Sequence, residues 1–338
     1  MKIALDAMGG DYAPGEVVRG AWETCRNNGL QVIMAGDRDI LKQELDLLGP
    51  CAGLEIVHAP EVIGMHEAPA AAVRRKKNSS VVVAADLVRG GEADAMVSAG
   101  STGATMAAAL LRLGRIKGID RPAIASVLPT ARGAVIMLDV GANVDCKAKN
   151  LLQFAVMGSL YATKVLNIEK PRVGLLNVGE ESSKGNELTQ EAYQLLLNND
   201  LNFYGNVEGR DIYTGVIDVV VCDGFVGNVV LKTSEGLATV LMNMIKSEMQ
   251  HSNLAKLGAI LALPSLKNLK KRIDYSEYGG APLLGINGVA IVCHGSSRAR
   301  AIQSALSRAA ESVETGLIDS ISTLLCDPAR EVSCANEM

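Results

Sequence analysis

Short β-branched runs alternate with longer stretches of helical period along most of the chain, and this alternation limits the fold more than any other feature. Residues 3–5, 32–35, 54–57, 95–98, 173–176 and 219–222 predict strands. Between them, residues 16–27, 40–48, 80–89, 102–113, 150–166 and 187–197 predict helices. The strand runs are apolar throughout rather than every second residue, as in a largely parallel sheet covered on both faces. Two places break the parallel pattern. Residues 124–128 and 134–140, joined by 129–133, read as an antiparallel pair. Residues 283–286 and 289–293 read as a hairpin about Asn287-Gly288, a pair that supplies the positive φ of a type I′ turn. The expected fold class is therefore α/β: a three-layer α/β/α arrangement around one mostly parallel but mixed sheet. Neither a repeat nor a low-complexity linker divides it, so one two-lobed domain is expected.

Composition narrows the function classes. Of 338 residues, 48% are hydrophobic but only 3% aromatic, so the core must be aliphatic. The 33 basic and 37 acidic residues leave a net charge of −4, which gives no global attraction to nucleic acid. Seven cysteines without a C-x-x-C pair, and four histidines without zinc-ligand spacing, point to reduced thiols and no structural metal. The chain runs from Met1 into a strand, which predicts no signal peptide. No apolar run reaches the roughly 18 residues of a spanning helix. A soluble, cytoplasmic protein is expected.

Chemistry is expected where Gly/Asn/Ser/Asp turns follow strands. They are 6–11 (DAMGGD), 98–103 (SAGSTG), 139–143 (DVGAN), 177–181 (NVGEE), 222–228 (CDGFVGN) and 294–297 (HGSS). In open α/β sheets ligands bind beyond the carboxyl ends of strands, so six such turns predict one rim. At 98–103, Gly100 and Gly103 admit close approach, Ser101 and Thr102 offer hydroxyls, and a helix begins; a helix N-terminus attracts phosphate. Capping by Ser101 accounts equally for the hydroxyls. Lys184, beside Gly185, can reach an anion. His294 reads as an acid, a donor or a packed core residue. Cys146 and Cys222 lack an adjacent base and read as inert.

The segments DAMGGDYAP, SAGSTGA, LDVGANVDCK, LLNVGEESSKGNELT, NVEGRDIYTGVIDVVVCDGFVGN and YGGAPLLGINGVAIVCHGSS occur in that order from about residue 1 to about residue 315. In these the chain resembles the acyl-carrier-protein:phosphate acyltransferase (PlsX) family. The resemblance implies transfer of a long-chain acyl group from acyl carrier protein to inorganic phosphate. The acyl-phosphate product then feeds a downstream glycerol-3-phosphate acyltransferase in phospholipid synthesis. It also implies an isocitrate/isopropylmalate dehydrogenase-like fold, a homodimer, and neither metal nor organic cofactor. Lys184 and Asn228 are then expected to be catalytic, with His294 supporting the leaving thiol. Gly100, Ser101, Thr102, Gly103, Asn143, Asn177, Asp223 and Gly224 are expected to bind substrate.

Acyl carrier protein is acidic, so its dock should be basic. Arg74, Arg75, Lys76 and Lys77 form the densest cationic run, and Lys267, Lys270, Lys271 and Arg272 a second. Residues 253–273 read as a helical hairpin broken at Pro264. Leu257, Ile260 and Leu261 on its apolar stripe suit peripheral contact with the inner membrane face, or packing in the core or across a dimer interface. Residues 316–338 read as a tail of unassigned role. A dehydrogenase of the same fold would need a carboxylate cluster for a divalent metal, and no D-x-x-x-D stands on a candidate helix. An acyltransferase using acyl-CoA and a non-catalytic scaffold for acyl carriers stay as alternatives, the polar turns with Lys184 and Asn228 speaking against the scaffold.

Overall fold

The computed structural model describes residues 1–273 and 279–325. The first half runs β1 (Lys2–Asp6), α1 (Gly15–Asn28), β2 (Gln31–Gly36), α2 (Arg38–Leu48), β3 (Leu54–His58), α3 (Pro69–Arg75), α4 (Ser80–Arg89), β4 (Ala95–Ser98) and α5 (Thr102–Arg112). It continues through β5 (Ala123–Thr130), β6 (Gly133–Leu138), α6 (Ala148–Lys164), β7 (Val173–Leu176), α7 (Glu187–Leu197), β8 (Phe203–Val207) and β9 (Val219–Val221). The last part holds α8 (Gly224–Glu248), α9 (Asn253–Ile273), β10 (Ala281–Leu284), β11 (Val289–Val292), α10 (Ala299–Glu314) and α11 (Leu317–Leu325).

Among the described residues eleven strands form one sheet, in the order β3-β2-β1-β4-β11-β10-β5-β6-β9-β7-β8. Both lobes share it, so the three-layer α/β/α expectation holds. The pleat sorts side chains between layers. Along β1, Ala4 joins one apolar cluster while Ile3 and Leu5 join another. Along β6, Val135 and Met137 join the first cluster, and Ile136 and Leu138 a third. The first cluster spans both lobes on the face covered by α3, α4 and α5. On the opposite face α1 and α10 cover one lobe, and α6, α7 and α11 the other.

The expected single rim needs correction. β1, β2, β3, β4 and β11 run parallel, but β10 is antiparallel to both β11 and β5, and β6 is antiparallel to β5. β6, β9, β7 and β8 therefore run opposite to β1 within the sheet. The six turns fall into two groups, after β1, β4 and β11 and after β6, β9 and β7. Twist offsets the reversal. At about 20–25° per strand, the steps from β1 to β9 accumulate about 120–150°, which leaves the two chain directions about 30–60° apart.

Three further expectations change. β10 and β11 do pair, but Leu283 and Leu284 bond to β5, and the connection widens to residues 285–288. The type I′ turn is absent: Asn287 donates from Nδ2 to the Arg115 carbonyl at 2.9 Å and from its N–H to Gly114 at 3.0 Å, while Gly285 and Gly288 take the positive φ. Residues 253–273 form one helix running through Pro264 rather than a hairpin. Proline removes a single i→i−4 bond, and the turns on either side hold the helix across it. The tail is in part core: α11 buries Leu317 and Ile321 against α6. Residues 326–338, including Cys326 and Cys334, lie outside the described residues.

Candidate active site

After β1, β4 and β11, the buried carboxyl of Asp6 organises the turns. It accepts from Ser98 Oγ at 2.7 Å and from the Met8 N–H at 3.3 Å. Ser98 Oγ in turn accepts from the Gly100 N–H and from Thr105 Oγ1, both at 3.1 Å. Burial holds the Asp6 carboxyl above the usual carboxylate range, against the pull of these donors. The Asp11 N–H donates to the Gly295 carbonyl at 2.7 Å, joining the first turn to the HGSS turn.

Gly100 and Gly103 have packing reasons of their own. A Cβ on Gly103 would lie 2.7 Å from Pro69 Cγ of α3, and one on Gly100 would lie 3.3 Å from Asp6 Oδ2. Ser101 sits at the N-cap of α5 but makes no side-chain capping bond. Its hydroxyl and the first N–H groups of α5 remain available to an anion, with Thr102 exposed beside them. His294 is exposed, not packed in the core. Its Nδ1 lies 2.8 Å from Ser296 Oγ and 3.2 Å from the Ser296 nitrogen, so the HGSS turn fixes that edge of the ring.

After β6, Asp139 does the corresponding work. Its oxygens accept from the N–H groups of Ile124 (3.0 Å), Ala142 (3.1 Å) and Asn143 (2.6 Å), and from Asn143 Nδ2 (2.9 Å). Burial raises its pKa nonetheless. The first turn of α8 presses onto this loop, and glycine alone fits there. A Cβ on Gly224 would lie 2.6 Å from the Asn143 carbonyl, and one on Gly227 would overlap the Asp139 carbonyl. Asp223 caps α8, accepting from the Val226 N–H at 2.9 Å. Asn228 follows next to Gly141, exposed and without a hydrogen bond among the described residues.

After β7, the third turn presents Lys184. Asn177 Nδ2 donates to the Lys184 carbonyl at 3.1 Å, and the Lys184 N–H donates to the Glu181 carbonyl at 3.0 Å. Gly185 has φ +95°, and a Cβ there would meet Asn177 at 2.5 Å. The Lys184 stem lies over Gly179, and its exposed ammonium makes no ion pair among the described residues.

The structure thus gathers Asn143, Asp223, Gly224 and Asn228 around Asp139, with Asn177 and Lys184 at the end of a neighbouring strand. Ser98 and Gly100 gather at Asp6, at the start of α5, and the HGSS turn with His294 is tied to the same loop through Asp11 and Gly295. The side chains of Asn143, Asn177 and Asp223, expected to bind substrate, also bond within the fold, to backbone groups and to Asp139. Sequence reasoning missed Asp6 and Asp139; the signal was an aspartate closing each apolar strand.

Cys146 is pushed up to about 11 and Cys222 well above the ordinary thiol value, by burial first and then by Asp139 and Asp223. Neither is a thiolate at neutral pH. Among the described residues no group of three His, Cys, Asp or Glu side chains could hold a metal ion. The first cationic run is half spent: Glu67 pairs with Arg75 at 2.8 Å and Lys76 at 2.6 Å, leaving Arg74 and Lys77. The side chains of Lys267, Lys270 and Lys271 lie outside those described. Leu257, Ile260 and Leu261 are 57%, 68% and 77% exposed, so they do not pack in the core of this chain.

A profile of the family described as "Fatty acid synthesis protein" matches residues 1–320. The chain is 60% identical over 321 residues to a phosphate acyltransferase of Pelotomaculum thermopropionicum, covering 95% of this chain and 94% of that protein. It is 57% identical over 327 residues to one of Desulforamulus reducens, covering 95% and 96%. Among solved structures, a phosphotransacetylase of Streptococcus pyogenes superposes with a TM-score of 0.64 at 19% identity, covering 93% of this chain and 94% of that one. A 4-hydroxythreonine-4-phosphate dehydrogenase from Salmonella typhimurium, itself described as putative, gives 0.52 at 14% identity, covering 92% and 98%. These two likenesses concern the fold alone.

Proposed function

Because this chain belongs to the phosphate acyltransferase (PlsX) family of fatty acid and phospholipid synthesis, we propose that it moves a long-chain acyl group from acyl carrier protein to inorganic phosphate. Phosphate is an anionic nucleophile near neutral pH, and a thiol of pKa about 8.5 is a good leaving group. The enzyme must hold the two together and stabilise the oxyanion that forms when phosphate oxygen adds to the thioester carbonyl. Ser101, Thr102 and the first N–H groups of α5 hold one anion. Lys184 neutralises charge building between phosphate and carbonyl, and Asn228 donates to the oxyanion. As the tetrahedral intermediate collapses the C–S bond breaks, and His294 supports the departing thiolate. No step requires a metal or cofactor.

The observation that carries this placement is the Lys184 ammonium, without an ion pair among the described residues and presented on a turn bonded at both its N–H and its carbonyl. Arg74 and Lys77 supply charge for docking an acidic carrier. The bare apolar faces of α8 and α9 suit a second copy of the chain or a membrane surface receiving a lipid-like product bound for a glycerol-3-phosphate acyltransferase. The test is release of carrier thiol from acyl-acyl carrier protein on addition of phosphate, with acyl-phosphate formed in equal amount. No release above background would leave the scaffold reading. Faster release from acyl-CoA would change the donor.

A further inference from the structure

We propose that Asn206 is a positioning residue for Lys184, acting through the turn that carries it. This rests on the catalytic role given to Lys184 above.

β8 lies next to β7 with a bulge: Val173 pairs with Phe203, but the next residue, Gly174, pairs with Gly205. The extra residue is Tyr204, and Gly205 takes φ +118°. A bulge shifts the strand by one residue and so exchanges its faces. The consequence is visible in the packing. Phe203 and Val207, which a regular strand would place on the same face, join clusters on opposite faces of the sheet. Asn206 pairs with Leu175 and shares its face, beneath the loop that leads into α7.

There Asn206 is 3% exposed, and its Nδ2 donates to the Glu181 carbonyl at 2.8 Å. The Lys184 N–H donates to that same carbonyl at 3.0 Å. One oxygen therefore links a rigid strand to the catalytic turn. The other end of the amide, Oδ1, is buried and accepts nothing among the described residues. A buried polar group costs stability unless it is bonded, so this carboxamide is kept for its single bond to the turn. A second tie between the same segments, Arg210 to Glu180 at 3.8 Å, has both side chains about 70% exposed and contributes little.

The test is a double-mutant cycle on turnover of acyl-acyl carrier protein with phosphate. Asn206→Asp keeps the shape but, when ionised, cannot donate to Glu181. It should lower kcat about 10- to 100-fold, the scale set by small misplacements of a catalytic group. In the Lys184→Ala background the same change should cost less than about twofold, because the group it positions is gone. A merely structural asparagine would cost the same fraction in both backgrounds, and that result overturns the proposal, as does an unchanged kcat for Asn206→Asp alone. Near-normal turnover of Lys184→Ala would instead remove Lys184 from the mechanism, and the proposal with it. Should Asn206→Asp not fold, Asn206→Gln, which keeps the donor one methylene further out, is read in the same cycle. A loss confined to the Lys184 background supports the proposal, and an equal loss in both overturns it.

Discussion

Asn143 and Asn228 are the same residue type in neighbouring turns, yet one is spent inside the fold and the other faces solvent. Nothing in their local sequence separates them. An asparagine after a strand serves equally to bond backbone and to bond substrate, and only the position of Asp139 decides. The residue types of the candidate site were therefore legible, whereas their division between scaffold and chemistry was not. Lys184 was easier to find, because a lysine next to a positive-φ glycine has its backbone fixed and its head free. The cysteines give a prediction at this scale. With Cys146 held at about 11 and Cys222 pushed well above the ordinary thiol value, neither supplies a nucleophile. Cys146→Ala and Cys222→Ala should each keep kcat within about twofold, measured as phosphate-dependent thiol release. A loss above about a hundredfold in either variant would restore a covalent thiol mechanism.

Elements were most legible where ends are chemically marked. α4 (Ser80–Arg89), α7 (Glu187–Leu197), β4 and β7 fall where periodicity places them, and Asn186 caps α7 by accepting from the Thr189 N–H at 2.9 Å. β8 escaped because Gly205 and Asn206 are poor strand formers and the bulge breaks its alternation. The starts of β7 and β9 are tied by Arg172, whose N–H and Nε donate to Asp218 Oδ2 at 2.8 and 2.9 Å and whose NH2 donates to Oδ1 at 3.0 Å. Burial alone would raise the Asp218 pKa, but the contributions of Arg172 together outweigh it, so it lies below its ordinary 3.8. The stability this adds is complete above pH 3.8 and lost as pH falls through the lower folded value. Asp218→Asn should cost about 1–2 kcal/mol at pH 7 and the same at pH 5. The gap between the two proteins should close as pH falls below 3.8 in denaturant titrations. A gap that widens on acidification would contradict the assignment.

For the whole molecule, charge and composition excluded classes of function, but the reach of α8 and α9 came from the structure. In α8 only Gly224 and Gly227 are buried; further along, Leu237, Val240, Leu241 and Met244 are about half exposed, as are Leu257 and Leu263 of α9, with Leu261 more exposed still. No described helix is long and apolar enough to cross a membrane. Replacing Leu257, Ile260 and Leu261 together with Ser or Asn should leave the melting temperature unchanged and abolish co-sedimentation with anionic vesicles at low salt. Loss of dimer mass with vesicle binding retained would give these residues to an interface between copies. The order of strands has a consequence in time as well. β11, from the last sixth of the chain, sits between β4 and β10, in a lobe whose other four parallel strands come from the first hundred residues and whose α10 follows β11. During synthesis β1, β2, β3 and β4 emerge early and must wait, with the apolar edge of β4 open, until residue 292 has left the ribosome. Such long-range closure is slow, and an open edge invites pairing with other chains. Chains cut short anywhere between α5 and β11 are therefore expected to aggregate rather than to survive as a folded half, even though that half already carries Asp6, Ser98 and the start of α5.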